Sequence, residues 1–120
     1  MMIELSKKIN SREILMRCLP IGGDFLVIIS GGSEHIGAAA LGQYYSKRDG
    51  SANSSVISVL GHKESEPAMK TAEYLSKVLK TNTAVIAGIH FDNLSPAEIN
   101  DILTAVQELS DLLAVRILKS

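Results

Sequence analysis

Residues 24–30 read Asp24-Phe25-Leu26-Val27-Ile28-Ile29-Ser30, and this stretch decides the fold. Every residue between its polar ends is apolar, which is typical of a strand that is buried on both faces. Turn-forming residues bound it, with Pro20 to Gly23 before it and Gly31-Gly32-Ser33 after it. The sequence therefore predicts a central strand of a sheet, with other parts of the molecule packed on both of its sides.

Two segments before this strand alternate apolar and polar residues, as strands with one buried face do. The apolar positions are Ile3, Leu5 and Ile9 in the first segment and Ile14, Met16 and Cys18 in the second. Asn10-Ser11 supplies the turn between them. Cys18 is the single cysteine of the chain, so it excludes an internal disulfide, and its place in a strand favours a small core residue over a nucleophile.

The segment after the central strand is rich in alanine and glycine. We expect Ile36–Gly42 to be a strand of small side chains, which another layer or a ligand can approach closely. The link from Gly31 to Glu34 is short, so we expect a hairpin with the preceding strand. The polar segment Ser46–Ser55 is expected to be a loop, and Val56–Leu60 the next strand.

Two helices flank a further strand at Ala84–Ile89. Ser65 is the expected N-cap of the first helix, over Glu66–Lys80, and Ser95 opens the second with a capping box that includes Glu98. Their expected buried faces are Ala68, Ala72, Leu75 and Leu79 in the first helix, and Ile99, Ile102, Leu103, Val106, Leu109 and Leu113 in the second.

Together these elements predict a single domain over residues 1–120 of the α/β (α+β) class. N-terminal antiparallel strands precede a βαβ-α unit in one mixed sheet flanked by helices. The net charge of −1, the 4% aromatic content and the lack of a Lys/Arg run argue against nucleic acid and against a membrane surface. No apolar run is long enough to span a membrane and no signal peptide is evident, so we expect a cytoplasmic protein.

The three histidines of the chain follow three strands that are expected to run in the same direction. His35 follows the central strand, His62 the strand at Val56–Leu60, and His90 the strand at Ala84–Ile89. A crossover helix joins parallel strands, so all three are expected at the carboxyl edge of the sheet, where ligands of α/β units bind.

Other polar groups accompany the histidines at this edge. They are Glu34, Lys63, Glu64, Asp92, Asn93 and the Gly31-Gly32-Ser33 turn. The N-termini of both helices are expected there too, and their backbone N–H groups favour an anion such as a phosphate.

Each feature also has a purely structural interpretation. The three imidazoles can hold a divalent metal ion, or can simply bond to backbone groups at strand ends. Lys63-Glu64, taken alone, is better explained as a solvated pair. Asp92-Asn93 either orients His90 or a ligand or forms the turn into the helix. Gly31-Gly32 has no nucleotide-binding fingerprint, and turn formation explains it better.

Three segments resemble the signature segments of the LpdD-like prenylated-flavin chaperones, in the same order and spacing. They are Gly31–Gly37, Gly61–Glu64 and Gly88–Asn93, within a resemblance that runs from about Gly22 to the C-terminus. The family consists of small accessory subunits of UbiD-type gallate and hydroxybenzoate decarboxylases. The resemblance implies a fold similar to proteasome-assembly-chaperone domains, and commonly a homodimer.

The resemblance further implies a non-catalytic protein that binds prenylated FMN and delivers it to, or helps to mature it in, the large decarboxylase subunit. The residues carried over as cofactor contacts are His35, His62, Lys63, Glu64 and His90, followed by Gly31, Gly32, Asp92 and Asn93. Two rival functions stay open at this point. One is a small metal-dependent enzyme that uses the three histidines, and the other is an assembly chaperone without a small ligand.

Overall fold

The computed structural model describes residues 2–45, 51–60 and 64–120, which form one mixed six-stranded sheet and two helices. The strands are β1 (Ile3–Ile9), β2 (Arg12–Ile21), β3 (Asp24–Gly32), β4 (Ala38–Tyr45), β5 (Ser51–Ser58) and β6 (Thr83–His90), and the helices are α1 (Ser65–Leu79) and α2 (Pro96–Leu118). The predicted α+β class and mixed sheet are confirmed.

The strand order across the sheet is β1-β2-β3-β6-β4-β5. β3 and β6 pair in parallel, and every other neighbouring pair is antiparallel. Because β4 is antiparallel to both β5 and β6, those two strands run in the same direction, as expected for a crossover through α1. β3, β5 and β6 therefore share a direction. This confirms the common strand direction from which we expected the three histidines at one edge of the sheet.

The expected hairpin between β3 and β4 is wrong. The two strands are antiparallel, but β6 lies between them and pairs with both. The crossover through α1 returns the chain into the gap beside β3, and this long-range pairing displaces the local one. The connection of residues 33–37 must consequently cross the end of β6.

Both helices pack on the same face of the sheet. α1 lies against β4, β5 and β6, and α2 lies against β1 and β2. The side chains that fill this layer come from alternate positions of the strands, namely Ile14, Met16, Cys18, Val27, Ile29, Ala38, Ala40, Val85 and Ala87. Burial raises the pKa of the Cys18 thiol to about 11, in keeping with the predicted core role of this cysteine.

The small residues of β4 serve this layer. An added Cβ at Gly42 would lie 2.2 Å from the carbonyl oxygen of Ala72 in α1, closer than any real contact allows. Ala38 and Ala40 are buried under the same helix. We expected these small side chains to leave room for a second layer or a ligand, and they leave room for α1.

The opposite side of the sheet, which we call the open face, carries the other set of alternate residues, and neither helix packs on it. It includes Leu26 and Ile28 of β3 and Ala84 and Ile86 of β6, all half-buried. The prediction that β3 is buried on both faces is therefore wrong within one chain, because both helices lie on the other side.

The polar segment expected to be a loop is partly a strand. Residues 51–55 belong to β5, which pairs with β4 from Ser51 to Ser58, while residues 46–50 lie outside the described residues. An edge strand can hold polar residues because only one side of it is paired, and Ser54 bonds to Glu73 of α1 at 3.4 Å. The strand also ends earlier than expected, so Val59 and Leu60 follow it.

The two helix starts differ from each other. In α2 the capping box of Ser95 and Glu98 forms as predicted, with Pro96 as the first helical residue. In α1 the N-cap is Glu64 instead of Ser65, and no side chain caps the helix. The expected apolar faces are buried at most positions, but Leu79 of α1 is half-buried, and Ile99 and Leu103 of α2 are 46% and 42% exposed.

Candidate functional site

The carboxyl ends of β3 and β6 lie side by side and begin the site. Gly32 is the register partner of His90, and the Ser33 amide donates to the His90 carbonyl oxygen at 3.1 Å. The chain then crosses β6 and joins β4, where the Gly37 amide donates to the Ala87 carbonyl oxygen at 2.9 Å. This crossing places the 33–37 connection, with His35 at its centre, over the same strand that ends at His90.

Gly88 makes the crossing fit. An added Cβ at Gly88 would lie 1.5 Å from the His35 carbonyl oxygen and 2.5 Å from its carbonyl carbon. By the alternation of β6, Gly88 and His90 both point to the open face, so the main chain of His35 lies on that face, two residues from His90. This role of Gly88 was not predicted, although a glycine inside a strand is the general signal for a close backbone approach.

The His35 side chain is held between two acceptors. Its Nδ1 lies 2.9 Å from the Ser33 carbonyl oxygen, and its Nε2 lies 2.9 Å from a carboxylate oxygen of Glu64. A neutral imidazole can donate from one nitrogen only, so two acceptors favour the ring that carries both protons. The pKa of His35 is accordingly raised, first by the Ser33 carbonyl and then by Glu64, against a lowering effect of burial.

Glu64 is fixed at the N-cap position of α1, and its side chain is 12% exposed. Its carboxylate occupies the space where Gly37 lacks a side chain, since an added Cβ at Gly37 would lie 1.4 Å from a carboxylate oxygen. The interpretation of Lys63-Glu64 as a solvated pair is therefore wrong for Glu64. A carboxylate and an imidazole of raised pKa meet here, drawn from residues 29 apart in the chain.

We expect the His35 imidazole to titrate above its ordinary value of 6.5. Because the folded-state pKa is raised, the stabilisation from His35 is complete below the unfolded value and is lost as pH rises through the folded value. NMR titration of the ring protons measures the midpoint directly. Glu64→Gln should lower the midpoint only part of the way, because the larger contribution comes from Ser33. A midpoint at or below 6.5 in the wild type would contradict this geometry.

His90 and Asp92 form a second, more exposed pair. His90 Nε2 lies 3.1 Å from Asp92 Oδ1, and the two side chains are 55% and 85% exposed. Asn93 adopts a left-handed conformation with φ of 57° in the turn that leads to α2. The alternative in which Asp92 orients His90 agrees with this contact, and Asn93 serves the turn.

Gly31 and Gly32 are packed tightly against their neighbours. Gly32 has a φ of 65°, and an added Cβ there would lie 2.0 Å from the His90 carbonyl oxygen. The two glycines line a cavity of about 320 Å³ together with Glu13, Glu34 and Phe91. Two carboxylates on this cavity disfavour an anion. The predicted turn role of the glycines is wrong, because both belong to the end of β3 and pair with β6.

An apolar cleft of about 220 Å³ opens beside Glu64, between the start of α1 and the first half of α2. Ile99 and Leu103, the two expected core residues that stay exposed, both line it. Its other walls are Pro67, Ile89, Leu94, Ile102 and Val106. The site therefore combines a charged pair with an adjoining apolar surface, a combination that suits a ligand with both polar and apolar parts.

The helix N-termini differ in what they offer an anion. In α2 the amides of Ser95, Glu98 and Ile99 are engaged by the capping box and first turn, and Pro96 has no N–H, so few amides are left for the anion expected there. In α1 no side chain caps the first turn, although Pro67 likewise lacks an N–H, and we keep this terminus as the candidate anion site.

His62 and Lys63 of the predicted site lie outside the described residues. Within residues 2–45, 51–60 and 64–120, no group of three or more His, Cys, Asp or Glu side chains is arranged to hold a metal ion. The same part of the chain contains no helix with the length and hydropathy to cross a membrane.

The six-stranded mixed sheet with both helices on one face has a counterpart among solved structures. The solved structure described as a novel chaperone complex for yeast 20S proteasome assembly superposes with a TM-score of 0.58. It is 13% identical, and the match covers 95% of this chain and 96% of the other. This likeness confirms the fold predicted from the resemblance.

The model of the prenylated flavin chaperone LpdD-like domain matches residues 8–118, which include all the residues of the candidate site. The chain belongs to this family. As a member of a chaperone family it is an accessory protein and not an enzyme, in agreement with the prediction. No curated protein sequence matches it.

Proposed function

We propose that this chain binds prenylated FMN at the carboxyl edge of its sheet and delivers it to, or helps to mature it in, the large subunit of a UbiD-type decarboxylase. The observation that carries the proposal is the family match over residues 8–118. Bound prenylated FMN would supply the redox-active ring system, and the chain would bind it, orient it and shield it until transfer.

The described residues suit some parts of such a cofactor better than others. The apolar cleft lined by Ile99 and Leu103 offers a surface for apolar ring atoms, next to the polar His35–Glu64 pair. Carboxylates such as Glu64 and Asp92 can accept hydrogen bonds from hydroxyl and N–H groups. We therefore assign His35, Glu64, His90 and Asp92 to the polar body of the flavin.

The phosphate needs a different partner. In the described part of the site His35 is already paired with Glu64, and Glu34 and Asp92 would repel an anion. The uncapped start of α1 and the ammonium group of Lys63 are the groups we propose for the phosphate, with His62 as a further contact. The family resemblance alone supports Lys63 and His62, because both residues lie outside the described residues.

A metal ion on His35, His62 and His90 stays the second prediction for this edge. The contacts of His35 disfavour the metal ion, because Glu64 and Ser33 already engage both ring nitrogens of this histidine. A metal ligand must present an unprotonated nitrogen, so metal binding would have to displace one of these contacts.

Co-expression with a prenylated-flavin synthase tests the function. We expect the purified chain to retain a flavin absorbance band, and to restore activity when mixed with the cofactor-free large decarboxylase subunit. The matched control is the same mixture with a chain expressed without the synthase. Metal bound in stoichiometric amount without flavin would support the metal-dependent alternative. Co-purification of the large subunit without any flavin would support a ligand-free assembly chaperone, and either result contradicts the proposal.

A further inference from the structure

The β1 edge of the sheet is open along half of its length. In the described part of the chain β1 pairs with β2 alone, so its other side offers backbone N–H and C=O groups without a partner strand. Proteins usually protect such an edge with lysine, proline or a bulge. Lys7 and Lys8 protect the second half of β1, where Lys7 also bonds to Glu108 of α2. Residues 3–6 contain no lysine or proline, and they pair with β2 without a bulge.

Helix α2 extends past this open half of β1. It packs on β1 and β2, the two outermost strands on that side, and its outer side overhangs the sheet edge. Leu112 and Val115 on this side are 57% and 49% exposed. A groove of about 350 Å³, which we call the edge groove, lies between the helix and the strand and is lined by Leu5, Leu112, Val115, Arg116, Lys119 and Ser120. A strand added to β1 would lie about 4.8 Å from it, beneath the overhanging helix.

The edge groove is positively charged. Arg116 and Lys119 are the charged residues that line it, and both are exposed. Among the described residues neither cation forms an ion pair with a carboxylate. Cations near the end of a helix complement its dipole, but the dipole does not account for the exposed Leu112 and Val115 beside them. An apolar groove with two unpaired cations fits an apolar segment that carries carboxylates.

We propose that an extended segment of another protein adds to β1 as a seventh strand, with aliphatic side chains against Leu112 and Val115 and a carboxylate at Arg116 and Lys119. In strand addition the backbone hydrogen bonds give affinity and pockets for alternate side chains give specificity. A second copy of β1 fits this place less well. By strand alternation, the side of β1 that faces α2 carries Lys7 and no carboxylate, so a second copy would bring a further cation to the groove.

The edge groove is separate from the site at the carboxyl edge. β2 lies between β1 and β3, so an added strand would leave the His35–Glu64 pair uncovered. Binding at the edge groove therefore needs no cofactor, and its test does not depend on the proposed function.

The probe is the fluorescently labelled heptapeptide Glu-Thr-Val-Thr-Val-Thr-Glu with blocked termini, whose valines and glutamates share one face of a strand. We expect saturable binding to the full chain by fluorescence anisotropy. Arg116→Gln combined with Lys119→Gln should weaken binding about fivefold, because two exposed ion pairs are lost. The matched control, Lys70→Gln combined with Lys77→Gln, removes two exposed cations from α1 and should leave the affinity unchanged. No saturable binding, or equal weakening by both pairs of substitutions, would overturn the proposal.

Backbone N-methylation of the peptide tests strand addition itself. Alternate residues of an added strand direct their N–H groups to β1 and the others direct theirs to solvent. We therefore expect only one of two peptides, methylated either at the valines and glutamates or at the threonines, to keep binding. Equal binding of both peptides would contradict strand addition. NMR shifts of β1 amides that depend on protein concentration without peptide would assign the edge to a second copy and overturn the proposal.

Discussion

Gly88→Ala is expected to destabilise the fold by about 3 kcal/mol and to lower the melting temperature by about 10 °C, a large effect for the addition of one methyl group. The added Cβ would meet the main chain of His35, which is backbone and cannot rotate away. Gly88 does not have a positive φ, so alanine itself is tolerated there and the effect is steric. Thermal unfolding followed by circular dichroism measures the change.

Gly23→Ala is the matched control for this prediction. Nothing lies within 4 Å of an added Cβ at Gly23, and its φ is not positive. We expect its melting temperature to stay within about 2 °C of the wild type, or to rise slightly because the unfolded chain loses entropy. If Gly88→Ala were as stable as Gly23→Ala, the 33–37 connection could not cross β6 as described.

His35→Ala is expected to weaken the binding of reduced prenylated FMN by about 10-fold to 100-fold. Both ring nitrogens of His35 are engaged within the protein, so the effect comes from releasing the Glu64 carboxylate, which is 12% exposed. A hydrogen bond to a charged group contributes about 1.5–3 kcal/mol, and each 1.4 kcal/mol is a factor of ten in affinity. Anaerobic titration followed by flavin fluorescence measures the dissociation constant.

Two further variants separate binding from folding. Gly37→Ala meets only the flexible end of Glu64, so we expect a stable protein in which the carboxylate is displaced and binding is weakened. His90→Ala removes a side chain that is 55% exposed, and a smaller loss of affinity is expected. A His35→Ala protein that is folded and binds as tightly as the wild type would exclude this histidine from the site.

Much of the fold could be predicted because its signals are local. The alternation in β1 and β2, the continuous apolar run of β3 and the capping box at Ser95 each depend on residues close in sequence, and all agree with the structure. The shared direction of β3, β5 and β6 followed from the crossover rule.

The wrong predictions concern contacts between distant segments. The β3–β4 hairpin is a local expectation, whereas the insertion of β6 between the two strands depends on pairing across 58 residues of chain with β3 and 41 to 49 residues with β4. The burial of β3 on both faces was predicted from its apolar residues alone. The sequence of this strand could not show that both helices pack on the same face of the sheet.

Part of the site could be predicted from the direction of the strands. Strand direction placed His35 and His90 at one edge, and the structure brings the His35 main chain over the strand that ends at His90. The pairing of His35 with Glu64 and Ser33 was not predicted, because it depends on how the connection crosses β6. The glycines at 37 and 88 were the available signal, since each sits where another group approaches closely.

An NMR titration of isotope-labelled protein with reduced prenylated FMN under anaerobic conditions tests the cofactor site most directly. We expect saturable shifts for His35, Glu64, His90 and Asp92 at the carboxyl edge. Shifts confined to the opposite edge near Asn82, or the absence of any saturable binding, would contradict it.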